Sequence, residues 1–182
     1  MAKLKLTNVR LAFPELFEAK SFEGSEPAFS ASFLIEPKDK QVAMIEQVME
    51  EVGEDKWGAK WPEIKKQLLK QDKMALHDGD NKDKYAGFAG MLYISARNKT
   101  RPGIFDRDRT PLMPADGKPY GGCYVNCVLD IWAQDNAFGK RINASLSGVQ
   151  FLRDGEAFSG GRPATEDDFD DIAETSNEPS LV

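Results

Sequence analysis

Two stretches of this chain carry an apolar side chain at every second position and polar or charged groups in between, the pattern of strands with one face in a core. From Met91 to Arg101, Leu92, Ile94 and Ala96 share one parity, while Tyr93, Ser95, Arg97, Lys99 and Arg101 share the other. Further on, Cys123, Val125, Cys127, Leu129 and Ile131 face one way, and Tyr124, Asn126, Val128, Asp130 and Trp132 the other. Asp135 and Asn136 read as a turn. Lys140, Arg141, Asn143 and Ser145 then lead into a return strand that turns Ile142, Ala144 and Leu146 inward.

The amino-terminal part extends this β pattern. Lys3, Leu4, Lys5 and Leu6 alternate, then Val9, Leu11 and Phe13 take over at period two, which predicts one strand with a register adjustment, stopped by Pro14. After a connection to Pro27, Phe29, Ala31, Phe33 and Ile35 alternate with Ser30, Ser32 and Leu34 as a second strand. Helical spacing appears in one region only. Val42, Ile45, Val48, Met49 and Val52 predict an amphipathic helix from Lys38 that Gly53 ends, and Pro62, Ile64, Leu68 and Leu69 predict a shorter one over Trp61 to Lys70. The expected fold is mainly β with α insertions.

Charge divides the chain unevenly. The segment from Glu166 to Val182 holds seven acidic residues and no Lys or Arg, so 24 basic residues face 23 acidic ones in positions 1–165, although the whole chain is −6. A like-charge run with few large apolar groups does not bury enough surface to offset its ordering entropy, so residues 161–182 are expected to be a disordered acidic tail and residues 1–160 one domain. Such a tail is suited to occupying a basic groove when polyanion is absent, or to docking on a partner through Asp167, Asp168, Phe169, Asp170 and Asp171. A purely solubilising terminus is the other reading. No apolar run approaches the roughly 18 residues of a membrane span, and Met1 to Arg10 alternates charge with aliphatics, which predicts a soluble cytoplasmic protein with no membrane association.

Several chemistries lack their residues. Cys123 and Cys127 lie four apart in an alternating run and read as reduced core thiols. His77 is the one histidine. The Asp78–Asp83 loop departs from a calcium loop where Lys82, Asp83 and Ala89 stand, so it is read as a flexible surface loop and no metal or cofactor is assigned. Asp106 and Asp108, or Asp78, Asp80 and Asp83, suggest a magnesium nuclease only weakly, since no supporting Glu-x-Lys or His constellation accompanies them. No glycine-rich loop opens a helix after a strand. The expectation is a protein that is not an enzyme.

What remains is a basic, aromatic strand face. Residues of one parity recur about every 6.5 Å, so Arg97, Lys99 and Arg101 form a positive row beside Tyr93, and the loop beyond adds Phe105, Arg107 and Arg109. Tyr124, Trp132, Lys140 and Arg141 from the hairpin are expected to join them on one surface. Rings interleaved with cations suit sequence-tolerant single-strand binding, since every base has a face for stacking and every phosphate a charge. A solvated strand face is the bland alternative, and a protein-interaction or assembly module the functional one.

The segment Pro27-Ala-Phe-Ser-Ala-Ser-Phe-Leu-Ile-Glu-Pro37, the Asp78-Gly-Asp80 loop, and the run from Gly121-Gly-Cys-Tyr-Val-Asn126 through Trp132-Ala-Gln-Asp-Asn136 to Val149-Gln-Phe-Leu-Arg-Asp154 resemble a family of tailed-phage single-stranded DNA-binding proteins, long catalogued as a domain of unknown function. The resemblance spans about residues 3 to 160. It implies an OB-fold-like five-stranded antiparallel barrel with two inserted helices, binding single-stranded DNA without sequence preference in phage replication or recombination. It also implies replication or recombination proteins as partners of the tail, and self-association on DNA as an open question. Here the tail departs from the better-known pattern: Phe169 sits among the acids and the chain ends Ser180-Leu181-Val182 without an aromatic.

Overall fold

The computed structural model describes residues 1–21, 23–158, 166 and 169–173. Its elements run β1 (Ala2–Lys20), β2 (Ala28–Ile35), α1 (Gln41–Trp57), α2 (Trp61–Lys70), β3 (Leu76–Asp78), β4 (Leu92–Asn98), β5 (Gly103–Phe105), β6 (Tyr124–Asn136) and β7 (Gly139–Arg153). The strands lie in the order β3-β4-β2-β1-β6-β7-β5, and a further pairing of β4 with β7 closes β1, β2, β4, β6 and β7 into a five-stranded barrel. The neighbours along this ring are antiparallel, whereas the closing contact, Arg97 against Ser145, is parallel.

The parity pattern explains why the barrel has a dry inside. Phe33 and Ile35, Ile94 and Ala96, and Val125, Cys127, Leu129 and Ile131 are all buried in one cluster. The register adjustment expected in β1 is a bulge between Leu6 and Val9, where Asn8 adopts φ 53°. Because side chains alternate, one extra residue flips the faces; it lets Leu4 and Leu6 before it and Val9 and Leu11 after it all point inward. β7 does the same near Ser147, shifting its inward set from Ile142, Ala144 and Leu146 to Val149 and Phe151.

Pro14 does not end β1. It falls in a second irregularity, between Ala12 and Glu15, where a missing N–H interrupts no ladder, and β1 runs on to Lys20. Phe13 in this bulge has φ 48°, a left-handed conformation that costs a bulky residue about 1–3 kcal/mol. Its ring is turned outward and half exposed, where the sequence pattern placed it inside.

The helices differ from expectation at two points, Gly53 and Leu69. Gly53 lies within α1, which continues to Trp57, and a single turn at Gly58–Lys60 joins it to α2, making one bent helical arm. Gly53 is there for packing: a Cβ on it would stand 2.3 Å from the Trp61 ring. Leu69, counted as apolar-face by spacing, is exposed. The arm closes the barrel's end with Ile45, Met49, Trp61, Ile64 and Leu68 in the core cluster, and Gln41 ties it to β1 by accepting the Thr7 N–H (2.7 Å) and donating to the Thr7 carbonyl (2.9 Å). Burial pushes the Cys123 thiol up to about 11 and Cys127 further still, so both are neutral core groups, as their alternating positions suggested. Among the described residues no helix is long and apolar enough to cross a membrane.

The Gly53 contact sets two effects against each other. Alanine gains at most about 1 kcal/mol of helix propensity, while forcing a methyl into a packed core costs about 1–3 kcal/mol. Gly53→Ala is therefore expected to lower the thermal midpoint, and a midpoint equal to or above the parent's would refute the packing account.

Candidate nucleic-acid interface

The closing contact of the barrel also builds its main surface groove. Pairing Arg97 with Ser145 brings the outward side of β4 against the base of the β6–β7 hairpin. There Trp132, half-buried, donates its indole N–H to the Ser145 hydroxyl at 2.9 Å, and Asn98 donates to the Leu146 carbonyl at 3.0 Å across the seam. Asn143 donates to the Gln134 side-chain oxygen (2.9 Å), and Arg141 leans on Asn143 through its Nε (3.3 Å). The result is a groove of about 690 Å³ that gathers Arg97, Lys99, Trp132 and Arg141, with no acidic residue among its lining residues. Lys99 is held in an ion pair with Glu26, whose carboxyl is kept below the usual range by that hydrogen bond and by the Lys99 charge. Both partners are exposed, so the pair is screened and readily exchanged.

Four of the expected residues thus converge. Lys140 and Arg101 remain exposed nearby in sequence but have local company: Lys140 faces Asp135 at 3.9 Å, and the Arg101 guanidinium stands 5.4 Å from the Phe17 ring. Tyr93 does not join them. It has the outward parity expected of it, yet it is only 4% exposed. The segment from Gly79 to Met91, whose first part (to Asp83) is read from sequence as a flexible surface loop, folds down over it and makes a second small core of Ala12, Leu34, Phe88 and Tyr93. Phe88 meets the Tyr93 ring edge-on at 5.2 Å and His77 stacks on it at 5.0 Å. Gly79 donates to the Met91 carbonyl (2.7 Å), Gly90 donates to the Asp80 carboxylate (2.8 Å), and a Cβ at Gly79 would lie 2.1 Å from the Phe88 carbonyl oxygen. Burial, then the negative charges of Asp72 and Asp78, raise the Tyr93 hydroxyl above its ordinary value. Tyr93 is a structural residue, not an exposed platform.

Tyr124 shares the outward parity of Trp132, but eight residues of strand separate them, about 26 Å. Its ring already carries the Arg153 guanidinium at 3.7 Å, with Arg10 at 5.8 Å. Phe105 and Arg109 line a separate depression of about 410 Å³ on β1, β5, β6 and β7, divided from the first along β6 by Asp130, which accepts the Ser147 hydroxyl at 2.8 Å. Arg107 lies exposed in the same loop, where its carbonyl accepts from Gln150 (3.2 Å). The carboxylates considered for a metal are engaged in turns: Asp106 accepts the Arg107 N–H (2.8 Å) and faces Lys118 (3.0 Å), and Asp108 accepts the Thr110 N–H (2.9 Å). These hydrogen bonds lower both carboxyls, the Arg107 N–H leading for Asp106 and the Thr110 hydroxyl for Asp108. No group of three or more His, Cys, Asp or Glu gathers among the described residues.

Sequence reading missed several outward rings. Phe138 at the hairpin tip is 88% exposed, and Phe13 and Tyr85 are exposed together, 5.1 Å apart. The hairpin was legible but its turn was misplaced: pairing continues to Asn136 and Gly139, leaving Ala137 and Phe138 as the loop. Phe138 followed by Gly, between two paired strands, was the available signal. In the tail, Phe169 and Ile172 are exposed beside Asp170 and Asp171, while Asp167 and Asp168 lie outside the described residues.

The comparisons with known proteins fit this geometry. Residues 2–180 match the family described as Enterobacter phage Enc34, ssDNA-binding protein. The chain is 45% identical over 186 residues to the putative protein p50 of Acyrthosiphon pisum secondary endosymbiont phage 1, covering 99% of both. It is similar to the single-stranded DNA-binding protein from bacteriophage Enc34 solved in complex with ssDNA, with TM-score 0.72 and 32% identity over 86% of this chain and 89% of that one. A likeness to gp2.5, the single-stranded DNA-binding protein encoded by bacteriophage T7, has TM-score 0.56 and 14% identity over 92% of this chain and 93% of that one, and is one of fold alone.

If Tyr93 is a core residue, Tyr93→Phe is expected to leave the denaturation midpoint nearly unchanged. Tyr93→Ala should cost about 3–5 kcal/mol of stability. Equal midpoints for parent and Tyr93→Ala in urea would contradict this placement.

Proposed function

The chain belongs to the family of the Enterobacter phage Enc34 single-stranded DNA-binding protein, and from that premise we propose that it binds single-stranded DNA without sequence preference along the seam groove between β4 and the β6–β7 hairpin. The observation that carries this reading is the convergence of Arg97, Lys99 and Arg141 on Trp132 in a groove lined by no acidic side chain. The cations neutralise phosphates and release counterions; the indole offers a stacking face to any base. Base-edge reading has little to work with there, because Trp132 is paired with Ser145, Arg141 with Asn143 and Asn143 with Gln134. The role is binding without catalysis, in phage replication or recombination. Lys140, Arg101 and the exposed Phe138 flank the groove in sequence and extend its reach. Phe105, Arg107 and Arg109 form a second, weaker contact area if the strand continues past Asp130. Neither helix suits duplex reading, since the outward residues of α1 include Glu46, Glu51 and Glu54.

The acidic tail is proposed as a competitor for this groove and a docking element for replication or recombination proteins. A tail held by charge alone competes best at low ionic strength, where screening is least.

Titration of a fluorescent oligo-thymidine at several salt concentrations tests the groove. Trp132→Ala is expected to weaken binding by roughly 5- to 150-fold, the range of one lost stack at about 1–3 kcal/mol, with an unchanged salt slope. Arg97→Ala and Arg141→Ala should each reduce the slope of log K against log salt by about 0.7, the single-strand value per phosphate. Unchanged affinity in all three variants would reject the groove, and undetectable binding by the parent would favour the assembly-module reading. Deletion of residues 166–182 is expected to tighten binding several-fold at low salt and less at high salt; identical isotherms at low salt would remove the tail from the competition.

A further inference from the structure

The seam groove does not end at Arg97. Arg97 pairs with Ser30 on β2 and Ser30 with Glu15 on β1, while Ser95 pairs with Ser32, their hydroxyls 2.8 Å apart. These short side chains floor a trough of about 390 Å³ that shares Ala28, Ser95 and Arg97 with the seam groove. At its other end the trough reaches Phe13 and Glu15, which also line a pocket with Tyr85 and Phe88. Three depressions thus form one path across the outward face of β4, β2 and β1. Lys20, Lys82 and Arg97 border the trough, and its one acidic lining residue, Glu15, is paired with Lys20 at 3.0 Å.

The rings at the far end rest on the buried Phe88, 5.7 Å from Phe13 and 6.1 Å from Tyr85, and stand partly clear of the core. Phe13 occupies the left-handed region at φ 48° and is 51% exposed as a residue, so strained backbone holds an aromatic residue partly in solvent. Tyr85, 39% exposed, meets it edge-on at 5.1 Å, and the Lys84 ammonium stands 5.1 Å from the Tyr85 ring. Behind them Phe88 and Tyr93 form a rigid backing. An aromatic pair with a firm support, a cation beside it and a polar-floored trough leading to it suits a flat π ligand with an attached anion.

We propose that Phe13 and Tyr85 form a second stacking subsite, which takes a nucleobase of the same DNA strand after it has crossed the serine-floored trough from Trp132. The inference rests on the seam groove being the DNA path. It divides the aromatic machinery into two stations: Trp132 serves every bound strand, and Phe13 with Tyr85 serves only strands long enough to span the trough. Single-strand sites on one such barrel range over about 4–16 nucleotides, which leaves room for both stations.

The test is a length series of oligo-thymidines at one low salt concentration, using the full chain and its variants. Phe13→Asn removes the ring with a residue that tolerates positive φ, and Tyr85→Ala lies on a separate segment. Both variants are expected to match the parent on the shortest oligomers that bind, and to lose roughly ten- to hundred-fold on those long enough to gain affinity in the parent. Trp132→Ala should lose at every length. Parent-like binding by both variants at all lengths would overturn the subsite and leave the patch to a protein partner; an equal loss at all lengths would make the rings merely structural and also overturn it. Unchanged binding by Trp132→Ala would instead count against the seam groove. Photo-cross-linking of an iodouridine oligomer to the unmodified chain is independent of variant folding: adducts at Phe13 or Tyr85 with long oligomers support the subsite, and adducts confined to the seam groove exclude it.

Discussion

One parallel contact, Arg97 of β4 against Ser145 of β7, turns a curled sheet into a closed barrel and builds the seam groove beside it. The residues that meet there, Asn98 and Leu146, are 48 positions apart in the chain, so no local preference brings them together. The drive comes from the inward faces, where Ile94 and Ala96 share one cluster with Ala144 and Leu146. Closing the core therefore places the outward residues of the same strands side by side. Arg97, Trp132 and Arg141 are neighbours because Ala96, Ile131 and Ile142 are buried together.

The outward face is not uniform, and its division follows from what covers it. Near Leu34 and Tyr93 the segment from Gly79 to Met91 folds down and makes a second core, so that part of the sheet is dry on both sides. Two positions along β4, Ser95 is exposed, and Arg97 beyond it is exposed as well. The boundary between a covered and an open half is where the trough lies, walled by the cover on one side and by cations on the other. A strand whose outward residues were all exposed would offer charge but no relief. The cover supplies a packed wall along one side of the trough.

Charge is distributed to the same effect. The body is close to neutral while the tail holds seven acids, yet the seam groove has cations and no acidic lining residue. Acids elsewhere are engaged locally, Asp106 with Lys118 and a backbone N–H, Asp130 with Ser147, Glu50 with Lys65 at 2.6 Å. Such pairs contribute little stability at a wet surface. The seam groove is thus left with Arg97, Lys99 and Arg141 and no acidic side chain in its lining, although the chain's total charge is negative.

Strand parity, the helical pair and the inward thiols were all legible in the sequence, because side-chain periodicity is a local property that burial enforces residue by residue. So was the candidate set of Arg97, Lys99, Trp132 and Arg141, since outward cations and rings in strands read directly from alternation. What parity leaves undetermined is which outward residues share a surface: Tyr93 is outward and covered, Tyr124 outward and remote, and Phe105 and Arg109 outward in another depression. The bulge at Phe13 and the burial of Gly53 against Trp61 were equally out of reach, because a strained φ or a helix glycine is tolerated only where distant residues pack against it. The chain alone determines faces; barrel closure and the folded cover determine neighbours, since both depend on contacts between segments that alternation treats as independent.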